Sequence, residues 1–223
     1  MNQGLSNSHR GAVRTRWAAA YRGWSGYARA YLGRVRIEIG FASLLALLAL
    51  LLGYGFGWAG SSQAAALIDE VAARLGALAG GTELETFLAI FGNNLNIDLG
   101  MVVLGFLGGV IPFAVLVLNA FVIGLFGAYF TQLGLGPAFL LGILPHGVIE
   151  IPCLVLSAAV GLRLGAVAWR KLFGRGGELT EELADGLRFA VYVILPLTFL
   201  AAVVETWITP RLLELFAPFL GLA

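Results

Sequence analysis

Charge, histidine and cysteine are all scarce in this chain. Asp, Glu, Lys and Arg together make up 12% of its 223 residues, against ~25% in a typical soluble domain. That excludes an ordinary water-facing surface. The single cysteine, Cys153, lies in an apolar run, so no internal disulfide can form. It reads as a small packing residue. The two histidines are His9 and His146, and "HGVIE" is not the His-Glu-x-x-His pattern of a zinc helix. No Gly-x-x-x-x-Gly-Lys-Ser/Thr loop occurs, so any ATP-driven activity needs a separate partner. No Gly-x-Ser-x-Gly elbow offers a nucleophile, and Ser157 has no evident base.

What the chain does have is apolar length. Hydrophobic residues are 59% of it, and the mean hydropathy is +0.89. Several windows exceed the ~18 apolar residues that mark a membrane-crossing helix. The fold class is therefore all-α, a polytopic membrane helix bundle, and the 31 glycines suit close helix packing in lipid. Five spans are predicted, at about 37–60, 84–107, 110–131, 137–163 and 187–209. The first is too long, and its basic lead too extended, for a cleaved signal peptide. Between the first two spans, Leu67, Val71, Leu75 and Leu78 recur at helical spacing and predict an amphipathic surface helix. Gly108–Gly109 predicts a tight turn between spans two and three. Three regions result: a segment 1–36, a bundle 37–210 and a tail 211–223.

Charge orients the bundle. Residues 1–36 hold seven arginines (Arg10, Arg14, Arg16, Arg22, Arg29, Arg34, Arg36) and no acidic residue. Trp17, Tyr21, Trp24, Tyr27 and Tyr31 interleave with them at helical spacing, which predicts an amphipathic segment lying on the membrane surface. Lipid headgroups suit this segment better than nucleic acid does. With five spans, it shares a side with Arg163, Arg170, Lys171, Arg175 and Arg188, leaving only Arg74 and Arg211 opposite. Basic residues collect on the cytoplasmic side, so a multi-pass protein of the cell membrane with a cytoplasmic amino terminus is expected.

A few polar residues fall inside the spans. His146 would lie about 13 Å deep and Glu150 near the midplane of the fourth span. As an i, i+4 pair they project from one face. Glu205 falls near the outer end of the fifth span. Asn93, Asn94 and Asn96 fall in the outer half of the second, which also carries Asp98, and Asn119 lies mid-third. Intramembrane ionisable residues commonly mark functional sites, although asparagines and a His–Glu pair also simply hold helices together. Pro145, Gly147 and Pro152 flank the pair and are expected to break or kink the fourth helix, as happens at transporter binding sites.

These residues also carry a resemblance. "PHGVIEIPCLVLSAAVGLRLG", preceded by "FGNNLNI", "GFLGG" and "LNAFVIG" and followed by "LPLTFLAAVVETWITP", resembles the stage II sporulation protein M family of integral membrane proteins over roughly residues 37–210. The resemblance implies that Asn93, Asn94, Asn119, His146, Glu150 and Glu205 are the characteristic polar residues. Ala120 departs from the glycine expected after the asparagine. In endospore formers the namesake works in a membrane complex with peptidoglycan-degrading partners, but the family extends well beyond spore formers.

Two function classes stay open on the sequence. One is a non-enzymatic membrane subunit for assembly or envelope remodelling, pairing with itself as a homodimer or other homo-oligomer, or with other envelope proteins. Its alternative is a transporter or channel component that uses His146, Glu150 and Glu205 for protons or a small solute. A third, an intramembrane metalloenzyme with those three ligands, is disfavoured because zinc usually recruits a second histidine. No catalytic residue, metal or cofactor is expected, and the bilayer is the principal partner.

Overall fold

Apolar runs punctuated by glycine turns fold into seven helices over the residues described in this computed structural model, 24–78 and 81–220. They are α1 (Trp24–Arg34), α2 (Arg36–Trp58), α3 (Ser62–Leu78), α4 (Glu83–Leu104), α5 (Val110–Gln132), α6 (Gly136–Leu172) and α7 (Leu179–Leu220). No strand occurs among the described residues. The five helices long and apolar enough to cross a membrane are α2, α4, α5, α6 and α7. The turn between α4 and α5 is made by Gly108 and Gly109 at φ 72° and 80°, where a side chain would be strained. Trp169 of α6 donates to the Gly108 carbonyl at 3.2 Å and covers that turn.

Backbone contact holds the spans together. A Cβ added at Gly124 would lie 2.0 Å from the Leu50 carbonyl oxygen, and one at Gly161 2.2 Å from that of Met101. Only glycine lets α5 approach α2, and α6 approach α4, this closely. In lipid such dispersion contact does the work that water exclusion does in soluble cores. At the carboxyl-terminal end of α2, the Gln132 amide donates to the carbonyls of Gly57 and Trp58 at 3.2 and 3.1 Å.

The last two spans outrun the membrane. At 1.5 Å per residue, α6 with 37 residues and α7 with 42 are about 55 and 63 Å long, against a hydrocarbon core of roughly 30 Å. The loop expected between 163 and 187 is thus mostly helix, because its Ala, Leu, Arg, Lys and Glu residues are good helix formers. Only residues 173–178 separate the two helices. Likewise, the expected tail from 211 continues α7 as far as Leu220.

Pro145, Gly147 and Pro152 do not break the fourth span. α6 runs unbroken through both prolines, with Gly147 buried. Each proline removes one N–H, a loss that helices packed inside membrane proteins tolerate. The irregular hydrogen bonding lies in α7 instead. Ala190–Ile194 and Val204–Ile208 are π-helical, a form that appears mostly as single-turn bulges at functional sites.

The amino-terminal segment turns two of its aromatics onto protein. Tyr27 and Tyr31 are 8% and 0% exposed and pack with Val102, Cys153, Val160, Phe189 and Ile194. At these two positions the expected lipid-facing rings are a helix–helix contact, with the Tyr31 and Phe189 rings stacked at 5.0 Å. Around it lies an ion-pair network. Arg34 meets Asp185 at 2.8 Å and Glu182 at 3.8 Å, and Arg163 meets Glu38 at 3.4 Å and Glu182 at 3.6 Å. Burial, and then the Glu182 carboxylate, raise the Tyr31 phenol above its ordinary pKa, so it stays a neutral donor. Arg10, Arg14, Arg16, Arg22, Trp17, Tyr21 and His9 lie outside the described residues. The predicted amphipathic helix is α3, which buries Ala64 and Ile68 against Leu125 of α5, with Leu67 packed beside them.

Candidate functional site

Two polar centres sit within the bundle. The first is built on Asp98 of α4, which is 4% exposed. Ser157 of α6 donates to its Oδ1 at 2.8 Å, and Thr198 of α7 donates to its Oδ2 at 2.7 Å. Both hydroxyls are fully buried. A carboxylate that receives one hydroxyl from each of two other helices pins three helices at a point. Such interhelical bonds serve as glue in lipid.

The second centre joins α6 to α7. His146, Glu150 and Glu205 each present a donor atom within 4.8 Å of the others. His146 Nε2 lies 4.0 Å from Glu150 Oε2, too far for a hydrogen bond. On its other side, His146 Nδ1 lies 3.4 Å from the Thr209 hydroxyl, which in turn donates to the Val204 carbonyl at 3.2 Å. The Glu205 side chain springs from the second π-helical segment. Among the described residues no hydrogen bond reaches Glu150 or Glu205, and the Glu150 side chain is 33% exposed.

A cavity of about 50 Å³ touches both centres. It is lined by Asn94, Ile97 and Asp98 of α4, by Asn119 and Ile123 of α5, and by Glu150, Ile151 and Leu154 of α6. That volume suits one or two water molecules. Two carboxylates and two carboxamides make it a place for a proton, a water or a small cation.

The predicted site residues thus divide. His146, Glu150 and Glu205 meet, and Asn94 and Asn119 join Glu150 at the cavity. The asparagines do not bond the glutamate. Asn119 donates to the Val115 carbonyl of its own helix at 2.8 Å, and Asn94 accepts from Asn93 at 3.1 Å. Asn93 and Asn96 are exposed. Asp98, Ser157 and Thr198 have no assigned role in the sequence reading. Their signal was an acidic residue four positions after Asn94, hence on the same helical face, and two isolated hydroxyls in apolar runs.

Fold and site together define a polytopic, all-helical membrane protein with a carboxylate-lined interior. A match to the stage II sporulation protein M family covers residues 42–210, and the chain belongs to that family. It is also similar to an uncharacterized protein of Methanocaldococcus jannaschii, 29% identical over 136 residues, which make up 59% of each chain. The chain therefore spans less than two thirds of the length of the curated relative it matches. No solved structure matches it.

Proposed function

We propose that this protein is a non-enzymatic membrane subunit that admits a proton or small cation to Glu150 and Glu205 in its interior. The observation that supports this best is the cavity, which sets the Glu150 carboxylate beside polar neighbours and partly open space. An ionisable side chain within a membrane span and without a hydrogen-bond partner is costly and commonly marks ion or proton movement. The basic residues gathered at one end of the bundle support a cytoplasmic amino terminus in the cell membrane.

Flux measured with entrapped dyes in liposomes tests this reading. Glu150→Gln and Glu205→Gln should each cut proton or cation flux at least tenfold, with size-exclusion light scattering unchanged. A wild-type protein that carries no flux, together with variants that lose assembly, would sink it. A second reading draws on the Asp98 centre. Its fully satisfied hydrogen bonds favour a polar core that specifies packing in a larger membrane complex, through self-association or envelope partners. Under that reading Asp98→Asn, rather than Glu150→Gln, disrupts assembly.

A further inference from the structure

We infer that His146, Glu150 and Glu205 form a binding site for a divalent first-row transition-metal ion. This rests on the reading above and names the cation. The three donor atoms lie within 4.8 Å of one another. Ligands about 2.0–2.2 Å from an ion stand at most about 4 Å apart, so a small side-chain adjustment closes the set. The donors come from two helices. α6 supplies an i, i+4 pair from one face, and α7 supplies Glu205 from its second π-helical segment.

The histidine is oriented for ligation. Because the Thr209 hydroxyl gives its hydrogen to the Val204 carbonyl, its oxygen accepts from His146 Nδ1–H. That leaves a bare Nε2 lone pair facing the Glu150 carboxylate at 4.0 Å. At that distance no hydrogen bond joins the two. A cation between them converts the approach into coordination. A hydrogen bond on the far ring nitrogen is also the usual support of a metal-bound histidine.

Charge points the same way. When both carboxyls give up their protons they present two negative charges, which a divalent ion cancels. One imidazole and two carboxylates form an oxygen-rich set that suits Mn²⁺, Fe²⁺ or Zn²⁺ better than softer ions. The partly exposed Glu150 side chain and the cavity beside it provide a way in.

The test uses the full chain in detergent, stripped with EDTA and dialysed against Zn²⁺ or Mn²⁺, with bound metal counted by elemental analysis. One ion per chain is expected, with at least tenfold weaker binding in Glu150→Gln, Glu205→Gln and His146→Gln. X-ray absorption on the wild type should show one imidazole among oxygen donors, which covers the case of a variant that fails to fold. No saturable binding, no imidazole at the metal, or binding lost in Asp98→Asn but kept in Glu205→Gln would overturn the site. Flux in a protein that binds no metal sinks this inference alone. Metal binding without flux sinks the transport reading and keeps the site.

Discussion

Asp98 and Glu150 line the same cavity under opposite conditions. Asp98 is short, 4% exposed, and receives a hydroxyl on each oxygen from a different helix. Glu150 is one carbon longer and 33% exposed at its side chain, with only a 4.0 Å approach from His146. Each oxygen of Asp98 already holds a hydroxyl from another helix, so moving it breaks three-helix geometry. Glu150 has nothing to break. A carboxylate with fixed partners serves structure, and one without them can change its proton or its ligand without disturbing the fold.

That contrast can be broken most sharply at Asp98. Asp98→Ala orphans the Ser157 and Thr198 hydroxyls, at about 1–3 kcal/mol each in a water-based fold, less when lipid-phase partners compete. A net loss of about 3 kcal/mol is expected, visible as a lower thermal midpoint in detergent. Next comes Gly161→Ala, one turn from Ser157. Its methyl would lie 2.2 Å from the Met101 carbonyl, so α6 must step away from α4. Overpacking of this kind costs about 1–3 kcal/mol, and the same melts should place it below or level with the aspartate variant. The smallest effect belongs to Glu205→Gln. It should shift stability by less than about 0.5 kcal/mol, and a drop as large as that of Asp98→Ala would erase the distinction between the two centres.

Much of the bundle could be read in advance, for physical reasons. Five spans follow from apolar length alone, and the Gly108–Gly109 turn follows from the need for positive φ. Counting depth along antiparallel helices sets Glu150 near the midplane and Glu205 near the outer end of its span, and the two come together because α7 continues to Leu220. Rotation about a helix axis is not encoded in that count. Hence the sequence reading gave Asp98 no role, although Ser157 and Thr198 were waiting at its level on two other helices. Tyr27 and Tyr31 erred in the opposite sense. Their shared face was correctly inferred, but a tyrosine suits an interfacial lipid layer and a protein groove equally well. The prolines of α6 leave the helix unbroken because the loss of one N–H each is tolerated where neighbouring helices pack around it.

The continuity of α6 ties two distant regions together. His146 and Arg163 sit 17 residues apart on one continuous helix, about 25 Å, so a single α-helical segment links the His146–Glu150–Glu205 cluster to the ion-pair network. α7 joins the same two regions, contributing Glu205 at one and Glu182 at the other, but it passes through one π-helical turn, Ala190–Ile194, on the way and carries Glu205 in a second, Val204–Ile208. The two paths between these endpoints therefore differ in their hydrogen bonding: α6 keeps one α-helical ladder throughout, and α7 changes ladder beside the residue it brings to His146.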